Sequence, residues 1–106
     1  MELVVFIYEL TKGFPREETY GLTSQLRRAA VSVPSNISEG AGGRSPDHFR
    51  NFLSIAVSSL NELSTQLEIA NRIGYLDLTT HDKAQGLVDE CLALTYGLKK
   101  KLGGEH

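Results

Sequence analysis

Residues 21–45 read GLTSQLRRAAVSVPSNISEGAGGRS, and the fold is decided here. Leu22, Leu26, Ala29, Val33 and Ile37 recur at spacings of four, three, four and four, the seam of an amphipathic helix. At about 100° per residue, Ser24, Val31, Ser35 and Ser38 fall on the opposite side. A helix side turned to solvent normally carries Lys and Glu; this one carries short side chains and a valine. A second covered face predicts an oligomer, with those four residues at the interface.

Pro34 complicates the helix. It removes the N–H that would bond the Ala30 carbonyl and crowds that turn, at about 3 kcal/mol unless the helix bends. The expectation is a helix either kinked at Pro34 or broken near Ser32 and restarted, with Ser32 and Ser35 placed to re-satisfy the turn.

Outward from this stretch, the chain reads as three ordinary amphipathic helices. Leu3, Ile7, Leu10 and Phe14 give a first helix over about residues 2–13, stopped by a left-handed Gly13 and by Pro15. No capping residue precedes it, so a longer natural chain is an open expectation. Residues 14–21, FPREETYG, form a polar connection that Phe14 and Tyr20 pin to the core. Ser45-Pro46-Asp47 is a strong helix start: a serine cap, a proline in the first turn and an acid at the positive end of the dipole.

The third helix, about 46–73, carries Phe49, Phe52, Leu53, Ala56, Leu60, Leu63, Leu67 and Ala70, and ends at a Gly74 cap. The fourth, about 80–102, opens with Thr79 and Asp82 as a near capping box. It runs through Ala84, Leu87, Cys91, Leu94, Leu98 and Leu102. Lys99, Lys100 and Lys101 complement its dipole, and Gly103-Gly104 closes it. Short connections between four helices predict an all-α, antiparallel up-down-up-down four-helix bundle in a single domain over residues 1–106.

Chemistry finds little foothold. No Glu is followed by His three residues later, as carboxylate-bridged metal bundles require. His48, His81 and His106 lie near helix starts or the tail, so neither metal nor cofactor is expected. Cys91 sits on an apolar seam as a small hydrophobe, and a lone cysteine forms no internal disulfide. The glycine-rich exit, residues 40–45, precedes a helix and carries Arg44, but it lacks the lysine and the strand of a phosphate loop and reads as a turn. No catalytic residue and no small-molecule substrate are expected.

Polar residues do line one side of the third helix. Ser59, Glu62 and Gln66 fall among Ile55, Ile69 and Ile73, and a buried carboxylate there must be paired. Arg27, Arg28 and the amide of Asn36 are available, so a buried network of Asn36, Glu62 and Gln66 fixing helix register is expected.

The net charge is −2, against a generally basic nucleic-acid binder. The charge is uneven: within residues 21–50, Arg27, Arg28, Arg44 and Arg50 face only Glu39 and Asp47. No apolar run reaches the roughly 20 residues of a membrane span, and the N-terminus lacks secretory features, so a cytoplasmic protein is expected.

The run Gly21–Gly40, together with Phe52-Leu-Ser-Ile-Ala56, Glu62-Leu-Ser-Thr-Gln-Leu67 and Gly74-Tyr-Leu76, resembles the 23S rRNA intervening-sequence protein family. That resemblance covers nearly the whole chain. It implies an antiparallel four-helix bundle assembled as a homopentamer, in a family encoded within insertions of bacterial large-subunit rRNA genes or standing alone. A related accessory protein of diversity-generating retroelements is a pentameric bundle that binds nucleic acid and a reverse transcriptase. The functional expectation is a non-enzymatic oligomeric bundle that binds RNA or a ribonucleoprotein through Arg27, Arg28, Arg44 and Arg50. The alternative is a protein-interaction scaffold without nucleic-acid affinity.

Overall fold

The computed structural model describes residues 1–103, so the expectations placed on Gly104 and His106 lie outside the described residues. Four α-helices account for most of it: α1 (Glu2–Thr11), α2 (Leu22–Ala41), α3 (Pro46–Arg72) and α4 (Leu78–Lys101). A single 3-10 turn, Arg16–Glu18, lies between α1 and α2. Among the described residues there is no strand. The long axis measures 43 Å, close to the roughly 40 Å of a 27-residue helix at about 1.5 Å per residue, so α3 spans the molecule.

Local chemistry sets most of the boundaries. The Ser45 hydroxyl accepts from the His48 N–H at 3.1 Å with Pro46 in the first turn, as the sequence predicts. Gly74, at φ +90°, closes α3 in the left-handed region that glycine enters freely, and the Tyr75 N–H returns to the Ala70 carbonyl at 2.9 Å. Two predicted boundaries move. The first helix does not end on a left-handed Gly13; Lys12, Gly13 and Phe14 each donate three residues back, unwinding the chain ahead of Pro15. The fourth helix starts earlier than the Thr79–Asp82 pattern implies, because the Asp77 carboxylate caps it by accepting from the Thr80 N–H at 2.8 Å.

α2 runs uninterrupted through Pro34, so the predicted break and restart do not occur. Ser32 is engaged both across the bundle and along its own helix: its hydroxyl meets that of Ser59 at 2.8 Å. Asn36 donates its amide to the Ser32 carbonyl and hydroxyl, both at 2.8 Å.

The core is built as the seams predict for α1, α2 and α3. Leu3, Ile7, Leu26, Val33, Leu53, Leu60, Leu63 and Leu67 are fully buried. α1 packs on α2 and α4, and α3 packs on the same two helices. Ser32 of α2 meets Ser59 of α3, while Gly40 at the end of α2 lies against Phe49 and Phe52 at the beginning of α3. Arg50, Ser54 and Ser64 of α3 likewise meet Leu102, Lys99 and Gln85, so residue numbers rise along one helix as they fall along the next. A Cβ on Gly40 would stand 2.8 Å from the Phe52 Cβ, which makes glycine the residue that permits this approach.

α4 departs from its predicted seam. Leu94 is 75% exposed, and the buried positions are Ala84, Val88 and Thr95. The Thr95 hydroxyl satisfies itself on the Cys91 carbonyl at 2.6 Å, so a polar residue occupies the inward position. The connection before α2 is also pinned differently. Phe14 is buried against Tyr75, ring centroids 5.3 Å apart, whereas Tyr20 stands 96% exposed.

Candidate functional site

The four arginines expected to form one basic surface divide into two kinds. Arg27 is tied to α1: its Nε donates to the Thr11 hydroxyl at 2.9 Å and its guanidinium lies 4.6 Å from the centre of the Tyr8 ring. Arg50 is tied to the end of α4, donating to the Leu102 carbonyl at 2.7 Å and pairing with Asp47. Both are positioning residues of the bundle. Arg28 and Arg44 are exposed, on the outer side of α2 and in the α2–α3 loop.

Arg50 brings together something the linear charge count separates. By fastening the end of α4 to the beginning of α3, it sets Lys99, Lys100 and Lys101 at the same end of the bundle as Arg44. Lys99 reaches the Ser54 hydroxyl at 3.0 Å, which fixes that proximity independently. The described acids nearest in sequence to this end are Glu39 and Asp47, and Asp47 is paired with Arg50. The loop there forms a concavity of about 360 Å³ lined by Glu39, Gly42, Gly43, Arg44, Ser45 and His48.

The outer face of α2 is a ridge between two grooves. Ser35 and Ser38 are exposed, Val31 is 39% exposed and Ser24 is half-buried. On the α1 side, a groove of about 520 Å³ is walled by Tyr8, Tyr20, Ser24, Arg27 and Val31. On the α3 side, a second of about 490 Å³ is lined by Gln25, Arg28, Ser32, Ser59, Glu62 and Gln66.

The expected buried network is only partly assembled in that second cavity. Glu62 is exposed at its edge rather than buried, so the requirement for a buried counter-charge does not arise. Asn36 bonds within its own helix. Gln66 is buried, and its Oε1 has no hydrogen-bond partner. The Ser32–Ser59 pair is the link that does cross from α2 to α3.

Shifted acidities fall on structural groups. The Glu18 carboxylate sits below its ordinary range because it accepts the Leu22 N–H and then the Tyr75 hydroxyl, which caps α2. Tyr75 is raised in turn, chiefly by that hydrogen bond. Asp77 is lowered by the Thr80 N–H. Burial, followed by nearby Glu90, pushes the Cys91 thiol up, away from the thiolate that a nucleophile needs. Among the described residues, no three His, Cys, Asp or Glu side chains are grouped to hold a metal, and no helix is long and apolar enough to cross a membrane.

The family model of the 23S rRNA-intervening sequence protein matches residues 1–97. The chain belongs to this family. A solved structure with a similar fold is a protein of unknown function from the S23 ribosomal protein family of Bacteroides thetaiotaomicron VPI-5482. It superposes with a TM-score of 0.80 at 24% identity, covering 92% of this chain and 88% of that one. Comparison with curated proteins gives no match. Within this intervening-sequence member, sequence reasoning missed the lysines beside Arg44, because it assigned them only to their own helix dipole. It also missed Tyr20, which aromatic character alone placed in the core.

Proposed function

We propose that this protein is a non-enzymatic, self-associating bundle of the cytoplasm that binds structured RNA at one end. The observation that carries the reading is the fastening of α4 to α3 through Arg50 and Leu102, which groups Lys99, Lys100 and Lys101 with Arg44. Four cations on flexible stems suit a phosphate backbone, whose neutralisation releases counterions. The family's name points in the same direction. The ridge of Ser24, Val31, Ser35 and Ser38 supports self-association, which would repeat the basic end around an axis.

The test is a binding titration with a structured rRNA fragment at low and raised salt. Affinity is expected to fall steeply with salt, and Lys100→Ala combined with Lys101→Ala should lower the salt slope by about 1–2. Absence of binding at low salt, or equal binding by that variant, refutes RNA recognition here. Light scattering tests the assembly separately: Val31→Glu should dissociate it, and a fully assembled variant would show that this face is not the interface. The groove walled by Tyr8, Tyr20 and Val31 favours a second reading, a scaffold for a protein partner. That reading gains if RNA is never retained and one protein partner binds in the groove.

A further inference from the structure

The groove between α1 and α2, of about 520 Å³, has an unusual lining. Among the described residues it carries two arginines and two tyrosines, and no acid. Val31 is its one aliphatic wall, and the remaining lining residues are serines and threonines. The acid nearest to Tyr20 in sequence, Glu18, is turned onto the Leu22 N–H and the Tyr75 hydroxyl.

Two of the lining side chains are set in advance. Tyr20 is 96% exposed, yet the turn that carries it is held. The Thr19 hydroxyl donates to the Arg16 carbonyl at 2.7 Å, and the Gly21 N–H donates to the Glu18 carbonyl at 3.0 Å. Arg27 holds α1 and faces the groove at once. Its Nε is taken by Thr11 and one Nη reaches the Tyr8 carbonyl at 3.4 Å, while the other Nη has no partner among the described residues. The Tyr8 ring, its centre 4.6 Å away, steadies that guanidinium. A guanidinium held in this way loses little freedom when it meets a phosphate. Arg28 is exposed on the same groove and adds a second charge.

We propose that this groove takes an unpaired strand of RNA, with a base stacked on Tyr20 and phosphates on Arg27 and Arg28. The proposal rests on the RNA-binding reading and names a second contact for the same RNA. Two cations unopposed by an acid suit a polyanion, whereas the apolar anchor of a protein partner would find Val31 as its one aliphatic wall. Inside a duplex each base face is covered by its neighbours, so an exposed aromatic ring selects an unstacked nucleotide. From Arg28 to Gly42 the helix advances roughly 20 Å, which separates this groove from the basic end. One RNA can therefore set a stem on the lysines and an unpaired strand beside the start of α2.

Fluorescence anisotropy on the full chain tests this with two labelled RNAs, a blunt hairpin and the same hairpin with a tail of about six adenosines. The tailed hairpin should bind about tenfold more tightly. Tyr20→Ala should remove that advantage and leave the blunt hairpin unchanged, whereas Tyr20→Trp should keep it, because any aromatic face stacks. Arg28→Ala should lower the salt slope for the tailed hairpin by about 0.7. Lys100→Ala combined with Lys101→Ala should weaken both hairpins alike. Melting by circular dichroism should show every variant folded. A wild-type chain that binds neither hairpin at low salt overturns the RNA-binding reading and this site with it. Equal affinity of the wild type for the two hairpins, which leaves the groove to a protein partner, overturns this site alone. So does a Tyr20→Ala chain that still prefers the tail, or a Tyr20→Trp chain that no longer does.

Discussion

α3 and α4 are of similar length, 27 and 24 residues, yet they relate to the core differently. α3 buries an unbroken stripe from Leu53 to Ala70, while α4 buries only Ala84, Val88 and Thr95. The cause lies in their neighbours. α3 has long α2 on one flank and long α4 on the other. α4 has α3 on one flank, but on the other it has α1, whose 10 residues cover only about 15 Å. A leucine on α4 is therefore inside or outside according to which part of the helix a partner reaches. Leu94 falls where none does.

The strongest test of this contrast is a pair of truncations. Leu63→Ala in α3 should cost about 2–5 kcal/mol, whereas Leu94→Ala in α4 should stay within about 0.5 kcal/mol, both read from urea unfolding. Equal losses would break the distinction between a flanked and a half-flanked helix. Next in size is the α2–α3 crossing. Gly40→Ala sets a methyl against the Phe52 Cβ, and overpacking of that kind should cost about 1–3 kcal/mol. A neutral result would mean that α2 and α3 are not held at this spacing.

A smaller effect sharpens the account of α4. Thr95→Val removes one intrahelical hydrogen bond without changing shape, so the thermal midpoint should move by less than about 1 kcal/mol equivalent. A large loss would show that the hydroxyl, not the packing, keeps this position inward. The smallest effect concerns the start of α4. Asp77 has a lowered pKa in the folded chain, so its stabilisation is present at neutral pH and is lost as pH falls through that lowered value. Asp77→Ala should therefore melt slightly below wild type at pH 7, with the gap closing in acid. Thr79→Ala should leave the midpoint unchanged, and a drop there instead would restore Thr79 as the cap.

Within the candidate surfaces, legibility followed the range of the interaction. The outer face of α2 could be read from spacing, because residues on one helix face are fixed by the helix itself. Val31, Ser35 and Ser38 are exposed where that reading puts them. The arginines could not be sorted in the same way. Arg27 and Arg28 are adjacent in sequence, yet one is held by Thr11 and Tyr8 of α1 and the other is exposed. Glu62 was misplaced for a related reason: Ser59 and Gln66 before and after it on α3 are buried, and Glu62 lies just far enough round the helix to be exposed at the edge.

The sequence by itself determined the four helices, the caps at Ser45 and Gly74, and the inward seams of α1, α2 and α3. Those depend on hydrogen bonds and periodicities spanning a few residues, which local composition specifies. Only the tertiary structure decided the inward face of α4, the capture of Arg27 and Arg50, the basic end around Arg44 and the lysines, and the orphaned Gln66 beside an open cavity. Each of these depends on which distant segment arrives as a neighbour, and amphipathic periodicity shows that a face is apolar without showing what will cover it.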